Sequence, residues 1–183
     1  MSSRICVFCG SSSGRGEAYL ELARATARTL AGAGYAIVYG GGRIGLMGAL
    51  ADGALEAGGE VIGVIPRALA GAEVAHSGLT RLHVVESMHE RKALMAASSD
   101  GFVALPGGFG TMDEFCEILS WRQLGIHDKP VGLLNYGGYF DRLVELFDAM
   151  VDRGFVRPDH RRLFATAGSI EALLAAMRMP KPD

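Results

Sequence analysis

The residues best equipped for chemistry lie in one stretch, Pro106-Gly107-Gly108-Phe109-Gly110-Thr111-Met112-Asp113-Glu114, which follows the apolar run Phe102 to Leu105 and precedes a strong helical pattern. Glycine carries no Cβ, so the backbone N–H groups around Gly107, Gly108 and Gly110 can converge on an anion, and a helix beginning at Thr111 adds the positive end of its dipole. The chemistry this predicts is phosphate binding. No G-K-[ST] follows, so the loop is not a Walker loop and triphosphate hydrolysis is not expected. Beyond it, Asp113, Glu114 and Glu117 crowd two adjacent turns, with Glu114 and Glu117 sharing a face at i, i+3. Glu114 has two readings. Thr111-x-x-Glu114 has the spacing of a capping box, in which the glutamate satisfies the helix start. Alternatively, because acids aimed at an anion would repel it, these carboxylates are directed at a sugar beside the phosphate.

Three other loops carry candidates. In Met88-His89-Glu90-Arg91-Lys92, two cations fall in the first turn of an expected helix. There they oppose the dipole at a cost of a few tenths to about 1 kcal/mol, which points to a ligand, the alternative being a solvated pair. Gly40-Gly41-Gly42-Arg43-Ile44-Gly45 satisfies G-x-G-x-x-G between a strand and a helix, so Gly41, Gly42 and Gly45 either admit a phosphate or ribose or serve tight packing. The next strand ends in Pro66 and Arg67 with no acid for a ribose 2'-hydroxyl, although Arg67 suits a 2'-phosphate, which keeps a nicotinamide-dependent oxidoreductase as one alternative. Ser11, Ser12 and Ser13 are phosphate or hydroxyl binders or turn residues, with no G-x-S-x-G elbow to make one a nucleophile. The five histidines lack zinc-site spacing. Cys6 and Cys9 sit in a strand, where i and i+3 face opposite sides, and read as structural.

The elements that must position these loops alternate regularly. Expected strands are Arg4 to Cys9, Ala36 to Tyr39, Val61 to Ile65, Arg81 to Val85, Gly101 to Leu105 and Val131 to Leu134. Expected helices are Glu17 to Ala33, Gly45 to Ala57, Met88 to Ser98, Thr111 to Leu124, Tyr139 to Arg153 and Ser169 to Met177. The strands lack clean polar alternation, as a sheet covered on both faces requires. The pattern is α/β: a doubly wound, Rossmann-like parallel sheet with helices on both faces. No linker or repeat divides the 183 residues, so a single nucleotide-binding domain is expected over 1–183. Ligands in such sheets sit beyond the carboxyl ends of the strands, where all four loops fall.

Composition narrows the partners. A net charge of -2 offers no basic face for a nucleic-acid polymer, and no apolar run approaches a membrane span. Three cysteines and no signal-peptide pattern read as cytoplasmic.

Taken together, Gly40 to Gly48, Met88 to Lys92, Pro106 to Glu114 and the segment Trp121 to Asn135 resemble the ordered motifs of the Lonely Guy family, a likeness running from about Ile5 to beyond Phe155. These are cytokinin riboside 5'-monophosphate phosphoribohydrolases, often labelled lysine decarboxylases. The resemblance implies cleavage of the N-glycosidic bond of an N6-substituted adenosine 5'-monophosphate to free base and ribose 5-phosphate. It implies that Arg91 and Glu114 are catalytic and that Gly107, Gly108, Gly110 and Thr111 hold the 5'-phosphate. It also places Met88, Lys92, Glu73 and Asp113 at the substrate, and implies a homodimer with no metal or organic cofactor. An enzyme using a pyridoxal phosphate Schiff base would have only Lys92, Lys129 and Lys181 to draw on. A non-catalytic nucleotide-binding or carrier protein using the same loops is the second alternative.

Overall fold

Parallel strands need crossover helices, and the chain supplies one after nearly every strand. A computed structural model describes residues 3–70, 75–179 and 182. In chain order the elements are β1 (Arg4–Phe8), α1 (Ala18–Gly32), β2 (Ala36–Tyr39), α2 (Gly45–Glu56), β3 (Val61–Pro66) and the single turn α3 (Arg67–Leu69). There follow β4 (Arg81–Val85), α4 (Met88–Ala97), β5 (Gly101–Ala104), α5 (Phe109–Gln123), β6 (Val131–Leu134), α6 (Asp141–Asp152), β7 (Ala165–Ala167) and α7 (Ile170–Met177). The strands form one parallel sheet in the order β4-β3-β2-β1-β5-β6-β7. The order reverses at β1, which pairs with β2 on one side and β5 on the other, so the crevice between the loops after these strands is the topological switch point.

The two sheet faces carry separate cores. Ile5, Val7 and Cys9 face α1, α2 and α7 through Ala27, Leu30, Leu50 and Leu173, while Cys6 and Phe8 face α4, α5 and α6 through Met95, Phe115 and Phe147. Cys6 and Cys9 therefore lie on opposite faces, as strand periodicity requires. The six expected strands are present, and a seventh, β7, is added at the edge. Its sequence Ala-Thr-Ala has too little apolar signal to predict a strand, and its residues are only partly buried. Helix α5 starts at Phe109, two residues earlier than expected, because Gly108 has extended backbone and serves as its N-cap.

Candidate active site

The Gly107 to Gly110 loop is built as an open helix start. Gly108, the N-cap of α5, has no side chain to offer, and no side-chain cap is made, so the N–H groups of Phe109, Gly110 and Thr111 have no intrahelical acceptor. Gly107 is needed for packing: an added Cβ would lie 2.1 Å from Thr111 Oγ1 and 2.9 Å from the Gly10 nitrogen. At Gly108 and Gly110 an added Cβ would meet nothing within 4 Å. Their bareness leaves room in front of the free N–H groups, the condition for an anion to approach. The Tyr139 hydroxyl braces the loop by donating to the Gly107 carbonyl at 2.7 Å.

The capping-box reading of Thr111 and Glu114 does not hold, since no side-chain cap is made at α5. Thr111 is already inside α5, and both side chains are buried, with Glu114 only 8% exposed. A side-chain cap does occur at α4, where Ser87 Oγ accepts from the Glu90 N–H at 3.1 Å, while Glu90 Oε2 reaches back past the cap to accept from the Glu86 N–H at 2.9 Å. Glu114 instead faces Arg91, with Arg91 Nη2 3.5 Å from Glu114 Oε1. The guanidinium is held from three sides: Nε donates to the Val64 carbonyl at 3.1 Å, Nη2 to the Gly40 carbonyl at 3.4 Å, and Nη1 lies 3.8 Å from Met88 Sδ. Gly40 makes this seat possible, because a Cβ there would lie 1.9 Å from Nη2. Burial pushes the Glu114 carboxyl up to about 7, against the downward pull of Arg91; Asp113 and Glu117 push it further up and Lys92 pulls it down. A carboxyl near neutrality beside an arginine that keeps its proton is equipped for acid–base work next to a fixed positive charge.

Around this pair opens a cleft of about 380 Å³. Gly10, Ser11, Gly42, Thr111 and the free end of α5 supply its polar surface, and Ile44, Met47, Ile65 and Leu69 an apolar wall. A volume of this order suits a small organic ligand.

Comparison with known proteins decides the family. A family described as "Possible lysine decarboxylase" matches residues 47–177. The cytokinin riboside 5'-monophosphate phosphoribohydrolase LOG5 of Arabidopsis thaliana is 48% identical over 179 residues, 98% of this chain and 78% of its own length. The cytokinin riboside 5'-monophosphate phosphoribohydrolase of Rhodococcoides fascians is 48% identical over 177 residues, 96% of this chain and 89% of its own. This chain belongs to the cytokinin riboside 5'-monophosphate phosphoribohydrolase family. Among solved structures, the molybdenum cofactor carrier protein of Chlamydomonas reinhardtii superposes with a TM-score of 0.74 at 26% identity, covering 97% of both chains.

In this phosphoribohydrolase-family chain the motif residues separate into two groups. Arg91, Glu114, Gly108, Gly110 and Thr111 converge on the cleft. Lys92 and Asp113 do not line it: Lys92 Nζ bonds Asp113 Oδ2 at 3.1 Å and Glu117 Oε1 at 3.0 Å, tying α4 to α5. Burial alone would weaken the lysine's hold on its proton, but the two carboxylates outweigh it and raise the pKa. An amine held protonated in this way is unsuited to a Schiff base, and Lys129 donates to the Ala96 carbonyl at 2.7 Å, while Lys181 lies outside the described residues. The crowd of acids is thus explained by Lys92, not by a sugar, for Asp113 and Glu117. Met88 touches only the Arg91 end of the site. Glu73 lies outside the described residues. Arg67, raised above as a 2'-phosphate partner, is held on the surface by the Glu86 carboxylate at 2.7 Å.

Of the glycines in the Gly40 loop, Gly40 and Gly42 line the cleft, while Gly41 and Gly45 do not. Gly41 and Gly45 have φ of +75° and +60°, and a Cβ on Gly45 would lie 2.3 Å from the Ser11 carbonyl oxygen. Close packing of two loops explains this part of the fingerprint. Sequence reasoning missed the apolar wall, whose four residues come from β3, α3, α2 and the loop before it with no shared spacing. It also missed Gly40 as the seat of Arg91, since 51 residues separate them.

Proposed function

We propose that this chain hydrolyses the N-glycosidic bond of N6-substituted adenosine 5'-monophosphate, releasing the free base and ribose 5-phosphate, the cytokinin-activating reaction. The observation that carries this reading is the buried Arg91–Glu114 pair standing beside an uncapped helix start. The N–H groups of Phe109, Gly110 and Thr111 take the 5'-phosphate, which sets the ribose against Glu114. As the bond from C1' to the base lengthens, its electrons leave with the base and the sugar becomes oxocarbenium-like, and the Glu114 carboxylate stabilises that positive charge. Water then supplies the oxygen to C1', losing a proton, and the base gains one. Arg91 keeps its own proton and acts by its charge. The apolar wall of Ile44, Met47, Ile65 and Leu69 suits an alkyl group on the base.

The reading includes a cytoplasmic homodimer with no nucleic-acid polymer or membrane partner. Supporting the dimer, Ile44, Leu69, Met88 and Phe109 are exposed around the cleft mouth, Phe109 at 96%, an apolar rim suited to cover by a second copy.

Free-base release from AMP and from N6-isopentenyl-AMP, by wild type and by Glu114→Gln, tests the reading. Wild type is expected to release base from the N6-substituted nucleotide in preference, and the variant to lose at least about 100-fold in rate while still binding AMP. Binding without release in wild type would move the chain to the carrier class.

A further inference from the structure

The opposite edge of the sheet holds a second feature that the hydrolysis does not use. At the amino ends of β6 and β7 lies an open groove of about 650 Å³ with Pro130, Val131 and Ala165 among its floor residues. Four arginines line it: Arg122 from the end of α5, Arg161 and Arg162 from the turn before β7, and Arg178 from the end of α7. Among the described residues, their charges are only partly compensated. Arg161 is engaged, bonding Asp148 and stacking its guanidinium over the Phe164 ring at 4.9 Å. Half-buried Arg122 uses Nη1 to donate to the Leu163 carbonyl at 2.6 Å, and burial lowers its pKa against the partial support of Asp128. Among the described residues, the side chains of Arg162 and Arg178 have no hydrogen bond or ion pair.

Helix C-termini favour cations, so Arg122 and Arg178 have a local electrostatic reason to be where they are. That reason does not account for Arg162, nor for the backbone of Arg178. Arg178 has φ +53° and is the one non-glycine residue with positive φ among those described. A glycine would occupy this helix-terminating position without strain, so the fold bears a cost for keeping a cation there. The Trp121 to Asn135 segment, which resembles the family's motifs yet lies largely away from the cleft, contributes Arg122 to the groove.

We infer that this groove is a second anion site, separate from the cleft, that binds a diphosphate-bearing small molecule through Arg122, Arg162 and Arg178. Guanidinium groups present forked donors that match phosphate oxygens. The groove is much larger than one phosphate, and several unbalanced cations are best met by a multiply charged anion. The inference stands on the groove's own residues and does not depend on the reaction proposed for the cleft.

Calorimetric titration of the full-length chain with pyrophosphate tests it, with orthophosphate as a second arm. The Arg162→Ala/Arg178→Ala double variant is expected to lose one class of pyrophosphate site, or to bind there about tenfold more weakly, with its AMP hydrolysis in pyrophosphate-free buffer unchanged. Arg178→Gly removes the cation while relieving the backbone, so it should bind more weakly and unfold at the same or higher temperature. Pyrophosphate isotherms identical in wild type and both variants would overturn the site. Orthophosphate binding there as tightly as pyrophosphate would overturn the diphosphate assignment.

Discussion

The two glycine-rich loops of the cleft look alike in sequence and differ in what their glycines avoid. Between Gly40 and Gly48 the missing side chains would strike the protein itself: the Arg91 guanidinium at Gly40, the Ser11 backbone at Gly45, and the Arg43 carbonyl at 2.1 Å from Gly48. After β5, Gly107 behaves in the same way, but Gly108 and Gly110 face open space. One loop is bare where the chain approaches itself, the other where open space fronts an uncapped helix start. Glycine content alone does not separate these causes, because both need the absence of a Cβ.

The comparison can be broken at its strongest point with Gly48→Ala. The added methyl meets backbone that cannot swing away, so the variant should lose about 3 kcal/mol of stability in denaturant unfolding. A loss below experimental scatter would mean that the loops yield easily and that packing does not explain the first loop. Gly40→Ala is the more informative case, because the obstructed atom is the end of a flexible side chain. Arg91 should be displaced while the backbone stays, giving roughly a 100-fold fall in kcat with little change in Tm. Equal loss of fold and activity would make Gly40 a packing residue like Gly48.

Gly110→Ala should do the reverse. Alanine favours the helix by about 0.5–1 kcal/mol, so Tm is expected to hold or rise, while the methyl crowds the approach to the free N–H groups and raises KM by about tenfold. An unchanged KM would remove the ligand from the account of this loop. The smallest effect is on pH dependence. If Glu114 works ionised, kcat rises with pH through about 7, and in Gly40→Ala that limb should move upward because Arg91 no longer favours the carboxylate. The linked stability has a definite sign. The folded carboxyl binds its proton more tightly than the unfolded one, so stability declines as pH rises from the ordinary glutamate range to about 7, a decline that Glu114→Gln should abolish in pH-dependent melting.

Much of the fold was readable because the inner strands β1, β2, β3, β5 and β6, buried on both faces, are almost wholly apolar and each apolar run ends in glycine or a polar turn. The exception, β7, is a short edge strand with one half-exposed face, where hydrophobic pattern has little to report. The site was readable as a set of residue types, with Arg91 and Glu114 singled out by family resemblance. Their surroundings were not. Thr111-x-x-Glu114 and Ser87-x-x-Glu90 carry the same capping spacing, and only the helix starts, at Phe109 and Met88, show which one caps.

By itself, then, the sequence determined the alternation of strand and helix, the positions of the loops at the strand ends, and a glycine-rich start to α5, because these follow from local periodicity and backbone freedom. Tertiary structure decided which charges meet. Lys92 and Arg91 are adjacent in sequence, yet Lys92 is spent on Asp113 and Glu117 while Arg91 turns to Glu114. Neighbours on a helix point in different directions, and what each one meets depends on the helix packed beside it. The Glu114 proton affinity is likewise a property of the whole fold, since burial by residues from several elements sets it and no window of sequence contains them.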